Sequence, residues 1–102
     1  MSHYLLHGKL TAIDGQQQAL ADILIQASQL LKTAKGCRLY VIGLDELEPN
    51  EVYITEIWDS KEDHDDSLKV EGVRELIMQA MPLLDGPPQK GQELEILGGL
   101  GI

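Results

Sequence analysis

Apolar and polar positions alternate along residues 4–12. Tyr4, Leu6, Gly8, Leu10 and Ala12 fall on one side, and His3, Leu5, His7, Lys9 and Thr11 on the other. A period of two with one mostly apolar side predicts a strand. Asp14-Gly15 breaks it. Over residues 16–35 the apolar positions become Leu20, Ile23, Leu24, Ala27, Leu30, Leu31 and Ala34, which is one stripe on a helix. Gly36 then supplies a left-handed stop. Residues 37–44 form a continuous apolar run of strand length, residues 45–50 a turn, and residues 51–59, rich in β-branched and aromatic side chains, the second strand of a hairpin. Ser60-Lys61-Glu62-Asp63 has a hydroxyl at a cap position and a carboxylate three residues on, so a short helix is expected there. A second helix follows from about Glu71, with Val73, Leu76, Ile77, Ala80, Met81 and Leu84 on one stripe, and Asp85-Gly86-Pro87-Pro88 ends it. Residues 92–98 alternate as a last strand.

The order is strand, helix, strand, strand, helix pair, strand. That is an α+β arrangement, the split βαβ pattern of ferredoxin-like folds, with a four-stranded antiparallel sheet and its helices on one side. The other side of the sheet would carry Val, Leu and Tyr side chains into water. A second copy packed sheet on sheet by a twofold axis covers them most economically, so a homodimer through the sheet face is expected. The 102 residues amount to one domain, residues 1–102.

Composition narrows the partners. With 43% apolar and 25% charged residues the chain is ordinary globular material. A formal net charge of -9 argues against nucleic acid, which needs clustered Lys and Arg, and against anionic membrane surfaces. No apolar run approaches the roughly 20 residues that span a bilayer, and the N-terminal residues lack the apolar stretch of a signal peptide, so a cytoplasmic setting is expected. The single cysteine, Cys37, opens an apolar run and reads as a buried, unreactive thiol. There is no Gly-rich nucleotide loop and no complete metal-ligand set, so neither cofactor nor metal is expected.

Chemistry concentrates around the third strand. Ile54, Glu56 and Trp58 share one side of it. A carboxylate on an inward side needs a partner, and Arg74 on the following helix, or a wet cavity, would supply one. His64 falls one turn into the helix that Ser60 starts and can fold back over the end of the strand. The alternative is an exposed histidine among Glu62, Asp63, Asp65 and Asp66. His3 and His7 share a side of the first strand, but no third metal ligand accompanies them. Met78 and Met81 read as soft core filler.

The stretch Glu56-Ile57-Trp58-Asp59-Ser60-Lys61-Glu62-Asp63-His64-Asp65 resembles the antibiotic-biosynthesis-monooxygenase-like family, as do Gly72-Val73-Arg74-Glu75-Leu76 and Leu84-Asp85-Gly86-Pro87-Pro88. The resemblance implies a dimeric α+β barrel. It also implies one of the family's activities: cofactor-independent oxygenation of quinols, phenols or anthrones, haem degradation, or none. In the members that oxidise polyketides, a strand Trp, a phenol six residues on and an Arg in the following helix line the pocket. Trp58 matches the first, His64 stands in place of the second, and Arg74 matches the third. The Asn that those members carry four residues before the Trp is Ile54 here. The haem-degrading branch has a His ten residues after the Trp, where this chain has Leu68. The expected function is therefore a monooxygenase acting on a small aromatic quinol, phenol or anthrone with dioxygen. In that reading Trp58, Glu56 and Ile54 bind the substrate, His64 is the base and Arg74 the cation beside the oxyanion. The alternative is a non-catalytic dimeric ligand-binding or stress-related protein of the same fold.

Overall fold

A computed structural model of the chain describes residues 2–102. The elements are β1 (His3–Thr11), α1 (Gln17–Leu30), β2 (Cys37–Gly43), β3 (Glu51–Trp58), α2 (Lys61–Ser67), α3 (Val73–Ala80) and β4 (Gln92–Ile96), with 3₁₀ turns at Leu31–Thr33 and Met81–Leu83. The strands form one antiparallel sheet in the order β2-β3-β1-β4, which is the ferredoxin-like order. The periodicities account for this assembly. Strands of period two place alternate residues on the helix side, and the stripes of α1 and α3 bury Leu20, Ala21, Leu24 and Ala27, and Val73, Leu76 and Ala80, respectively.

The register settles which residues share each side. Tyr4 pairs with Trp58, Leu6 with Glu56, Gly8 with Ile54 and Leu10 with Val52. All eight lie on the helix side, where Val52 and Trp58 are fully buried. The opposite side carries a row that crosses every strand: Leu39 pairs with Ile57, Ile57 with Leu5, and Leu5 with Leu94. Among the described residues no helix covers this row.

The core has two parts. Ala12, Leu20, Ala21, Leu24, Val52 and Ala80 pack together at one end, and Leu31, Trp58 and Val73 at the other. The space between them is the candidate site.

Candidate active site

Glu56 sits in the middle of the helix side of the sheet, with Leu6 opposite it on β1 and Tyr40 opposite it on β2. It is buried, and a buried carboxylate needs hydrogen-bond or charge partners. Two are present. The indole Nε1–H of Trp58 donates to Glu56 Oε1 at 3.0 Å, and His64 Nε2 lies 3.6 Å from the same oxygen. Burial pushes the Glu56 carboxyl above the ordinary carboxylate range, while the Trp58 hydrogen bond and the His64 charge pull the other way; the net direction is upward.

His64 is delivered by the start of α2. Ser60 Oγ accepts from the Asp63 backbone N–H at 3.0 Å, the cap anticipated from the sequence. The buried Asp63 packs against Gly36, whose φ of +80° and missing Cβ both suit that turn. The imidazole consequently lies over the end of β3, edge-on to Trp58 with centroids 5.8 Å apart, and beside Tyr4 at 5.7 Å. Its side chain is 20% exposed, so it is not a solvent-facing helix-start residue. His64 Nδ1 lies 3.1 Å from Asp65 Oδ1. An ionised carboxylate can only accept, so Nδ1 carries the proton in this pairing. Whenever the ring is neutral, Nε2 on the Glu56 side is then the nitrogen with the lone pair.

Between sheet and helices lies a cavity of about 230 Å³. Leu10, Tyr40 and Glu56 face it from the sheet, Ile23, Leu24 and Ala27 from α1, His64 and Ser67 from α2, and Leu76, Ile77 and Ala80 from α3. Its polar groups gather at the Glu56 end, and the Ser67 hydroxyl is already committed to the His64 carbonyl at 2.5 Å. The Tyr40 phenol stays protonated there, because burial and then the Glu56 charge raise its pKa far above 10.0. Such a place can hold a ring by apolar contact and present a base to one hydroxyl.

Glu56 and His64, both expected at the site, face this cavity. Trp58 touches them both but is fully buried and does not line the cavity; it holds Glu56 rather than forming a wall. Ile54 lines a separate recess of about 100 Å³ on another side of Glu56. Arg74 requires a correction. It is exposed on α3 and is not among the residues lining the cavity, because it follows the buried Val73 by about 100° of helix rotation. The expected Glu56–Arg74 pair is replaced by the contacts of Glu56 with Trp58 and His64. Tyr40 was not anticipated. His3 lies 3.8 Å from Asp59, His7 Nδ1 lies 2.9 Å from Thr55 Oγ1 and its ring stacks on Tyr53. No cluster of three candidate metal ligands occurs among the described residues. Cys37 is half-buried beside Trp58, and burial raises its thiol pKa, as suits an unreactive cysteine.

A family model described as antibiotic biosynthesis monooxygenase matches residues 3–77, a stretch that contains Glu56, Trp58, His64 and Ser67. The chain belongs to that family. A solved structure from Chloroflexus aurantiacus, described by the same family name, is 36% identical, with 98% of each chain covered and a TM-score of 0.86. A protein of unknown function from Nitrosomonas europaea is 24% identical, with 97% of this chain and 93% of that one covered and a TM-score of 0.79. A further member described by the family name, from Caulobacter crescentus, has a TM-score of 0.85 at 12% identity, with 95% and 92% covered. The last two speak to the fold alone. No protein of curated function gives a significant match. Among the described residues, no helix of this family member is long and apolar enough to cross a membrane.

Proposed function

We propose that this protein is a monooxygenase that oxidises a small aromatic quinol, phenol or anthrone with dioxygen, and that Glu56 and His64 are its working residues. The observation that carries the reading is the run Trp58–Glu56–His64 at one end of an otherwise apolar cavity. It has the logic of a base held by a second group that is itself held by a third.

In this mechanism His64 Nε2 takes the hydroxyl proton of the bound substrate. The anion is then a better one-electron donor. It passes an electron to dioxygen, and the resulting radical pair combines at a ring carbon bearing hydrogen, forming a C–O bond. The imidazolium returns its proton to the distal peroxide oxygen. His64 then removes the hydrogen of that carbon as a proton while the O–O bond breaks. A carbonyl forms on the ring, and the departing hydroxide takes the proton and leaves as water. One substrate and one dioxygen give one quinone-type product and one water. Between the proton transfers the imidazolium itself supplies the positive charge beside the anion. Glu56 holds that charge in place, and Trp58 positions Glu56.

The proposal includes a single domain spanning the chain and a homodimer packed through the Leu39–Ile57–Leu5–Leu94 side of the sheet. The experiment is oxygen uptake with a panel of hydroquinones, phenols and anthrone, with and without added metal. Stoichiometric uptake with one of them, lost in His64→Ala, is expected. Binding of the panel with no uptake from any member would overturn the enzymatic reading in favour of a ligand-binding protein.

A further inference from the structure

Beyond the polar end described above, the cavity carries a second message. Many of its lining residues are buried, but Leu68, Ile77 and Met81 are not: they are 53%, 43% and 50% exposed, and the lining residue Pro88 is exposed as well. The mouth is therefore an apolar slit between the end of α2, the outer side of α3 and the turn after it. Met78 and Met81 are thus not the core filler expected from the sequence, because α3 turns Val73, Leu76 and Ala80 inward, and the exposed Met78 extends the apolar surface outside the slit. Exposed apolar side chains grouped at the mouth of a cavity are a recognition surface rather than a scatter of single residues.

The cavity's long direction follows from the register. Glu56 marks one end. Leu10, opposite Val52, marks the other, and Leu84, which bridges to Ala12, lies beyond it. Four strand residues separate Glu56 from Val52, about 13 Å. Hydroxyl-binding groups stand only at the Glu56 end. At the far end the lining is Leu10, Ala80, Met81, Leu84 and Pro88, with no side chain able to pair a second hydroxyl. An engineered apolar cavity of about 150 Å³ holds one benzene ring, so about 230 Å³ holds a substituted ring or a fused pair, and anything longer must leave through the slit.

We infer that the ligand is a single-headed amphiphile: an aromatic ring whose hydroxyl meets Glu56 and His64 and whose opposite side bears an apolar chain that runs out along Leu68, Ile77 and Met81. This rests on the proposed site but makes a separate claim about what occupies it.

The test is the affinity of the protein for phenol and a series of 4-n-alkylphenols, measured by calorimetry without oxygen, with the n-alkylbenzenes, hydrocarbons that lack only the hydroxyl, as controls. Kd should fall about fourfold per methylene over the first several carbons, and the hydrocarbons should bind at least tenfold more weakly than the alkylphenols. In Ile77→Lys, at a position 43% exposed and with folding checked by circular dichroism, the ratio of 4-hexylphenol affinity to phenol affinity should drop about tenfold. A flat dependence on chain length, equal binding of the hydrocarbons, or an unchanged ratio in Ile77→Lys would overturn the inference. If the chain-length dependence holds while no compound supports oxygen uptake, the amphiphile inference stands and the monooxygenase proposal fails. Uptake with short, untailed quinols and no gain from a chain gives the reverse.

Discussion

Trp58 donates its indole N–H to Glu56, two residues before it on the same side of β3, at 3.0 Å. Both side chains are buried, so the bond is made where neither group has water to turn to. It has an energetic consequence. The carboxylate retains a proton more readily in the folded chain than in the unfolded one, because burial outweighs the help of Trp58 and His64.

Glu56→Gln leaves an acceptor for the indole while removing the charge. A carboxyl whose folded pKa is raised contributes stability that is fully present below its unfolded value, 4.5, and that is lost as pH rises through the raised folded value. Wild type should therefore lose stability relative to Glu56→Gln as pH climbs from about 4 toward 8, and the two should converge at the acid end. Thermal melts across that range check it; parallel curves would refute it. Turnover should fall by about 10²-fold, because the base loses the group that holds it.

Trp58→Phe keeps a ring but deletes the donor. Stability should drop by about 1–3 kcal/mol, from lost volume and from a buried acceptor left without its partner. The Trp58 bond is one of the two influences that lower the Glu56 pKa, so its removal raises that pKa further. The fall of stability with rising pH should then extend to higher pH than in wild type, a change in thermal melts that loss of packing alone would not produce.

His64 and Arg74 should part company. His64→Ala should lower the turnover number by about 10²-fold or more, the usual scale for a general base. Arg74→Ala, on the exposed side of α3, should change turnover by less than about twofold and stability by no more than about 0.5 kcal/mol. Steady-state kinetics on both variants settles the matter, and a large loss in Arg74→Ala would bring that residue back to the site.

The arrangement of the elements was legible because most of them had one clear period or cap. Alternation marked β1 and β3, the i, i+3, i+4 stripes marked α1 and α3, and Ser60 followed by an acidic turn fixed where α2 begins and so carried His64 to the cavity. Glu56 and Trp58 followed from the same alternation. Arg74 lies outside the cavity because Val73, Leu76 and Ala80 form the inward stripe of α3 and leave the position after Val73 on its outer side. Tyr40 was hidden for another reason. β2 is apolar on both sides, and its register shifts between Cys37 and Leu39. The bulge puts Cys37 and Tyr40, three residues apart, on one side, which strict alternation would deny. The slit was illegible too, since the exposure of Leu68, Ile77 and Met81 depends on how far α2 and α3 stand apart.

The uncovered side of the sheet yields the last prediction. Leu39, Ile57, Leu5 and Leu94 form a row from edge to edge, and Val41 flanks it on β2. Leu39, Val41 and Leu94 are 38%, 48% and 46% exposed in the single chain. At its margin two cations are paired within the chain: Lys9 lies 3.9 Å from Glu51, and Arg38 holds Asp59. An apolar centre inside a polar margin is the anatomy of a protein interface. A twofold partner would bring the row against its own copy, where a charge has no counterpart. Wild type should therefore sediment as a dimer at micromolar concentration. Ile57→Lys, whose side chain points away from the helices and the cavity, should keep its circular dichroism and sediment as a monomer, with dimer affinity reduced by about 10²-fold or more. A well-folded wild-type monomer at that concentration would sink the dimer, and a dimer that persists in Ile57→Lys would move the interface to another surface.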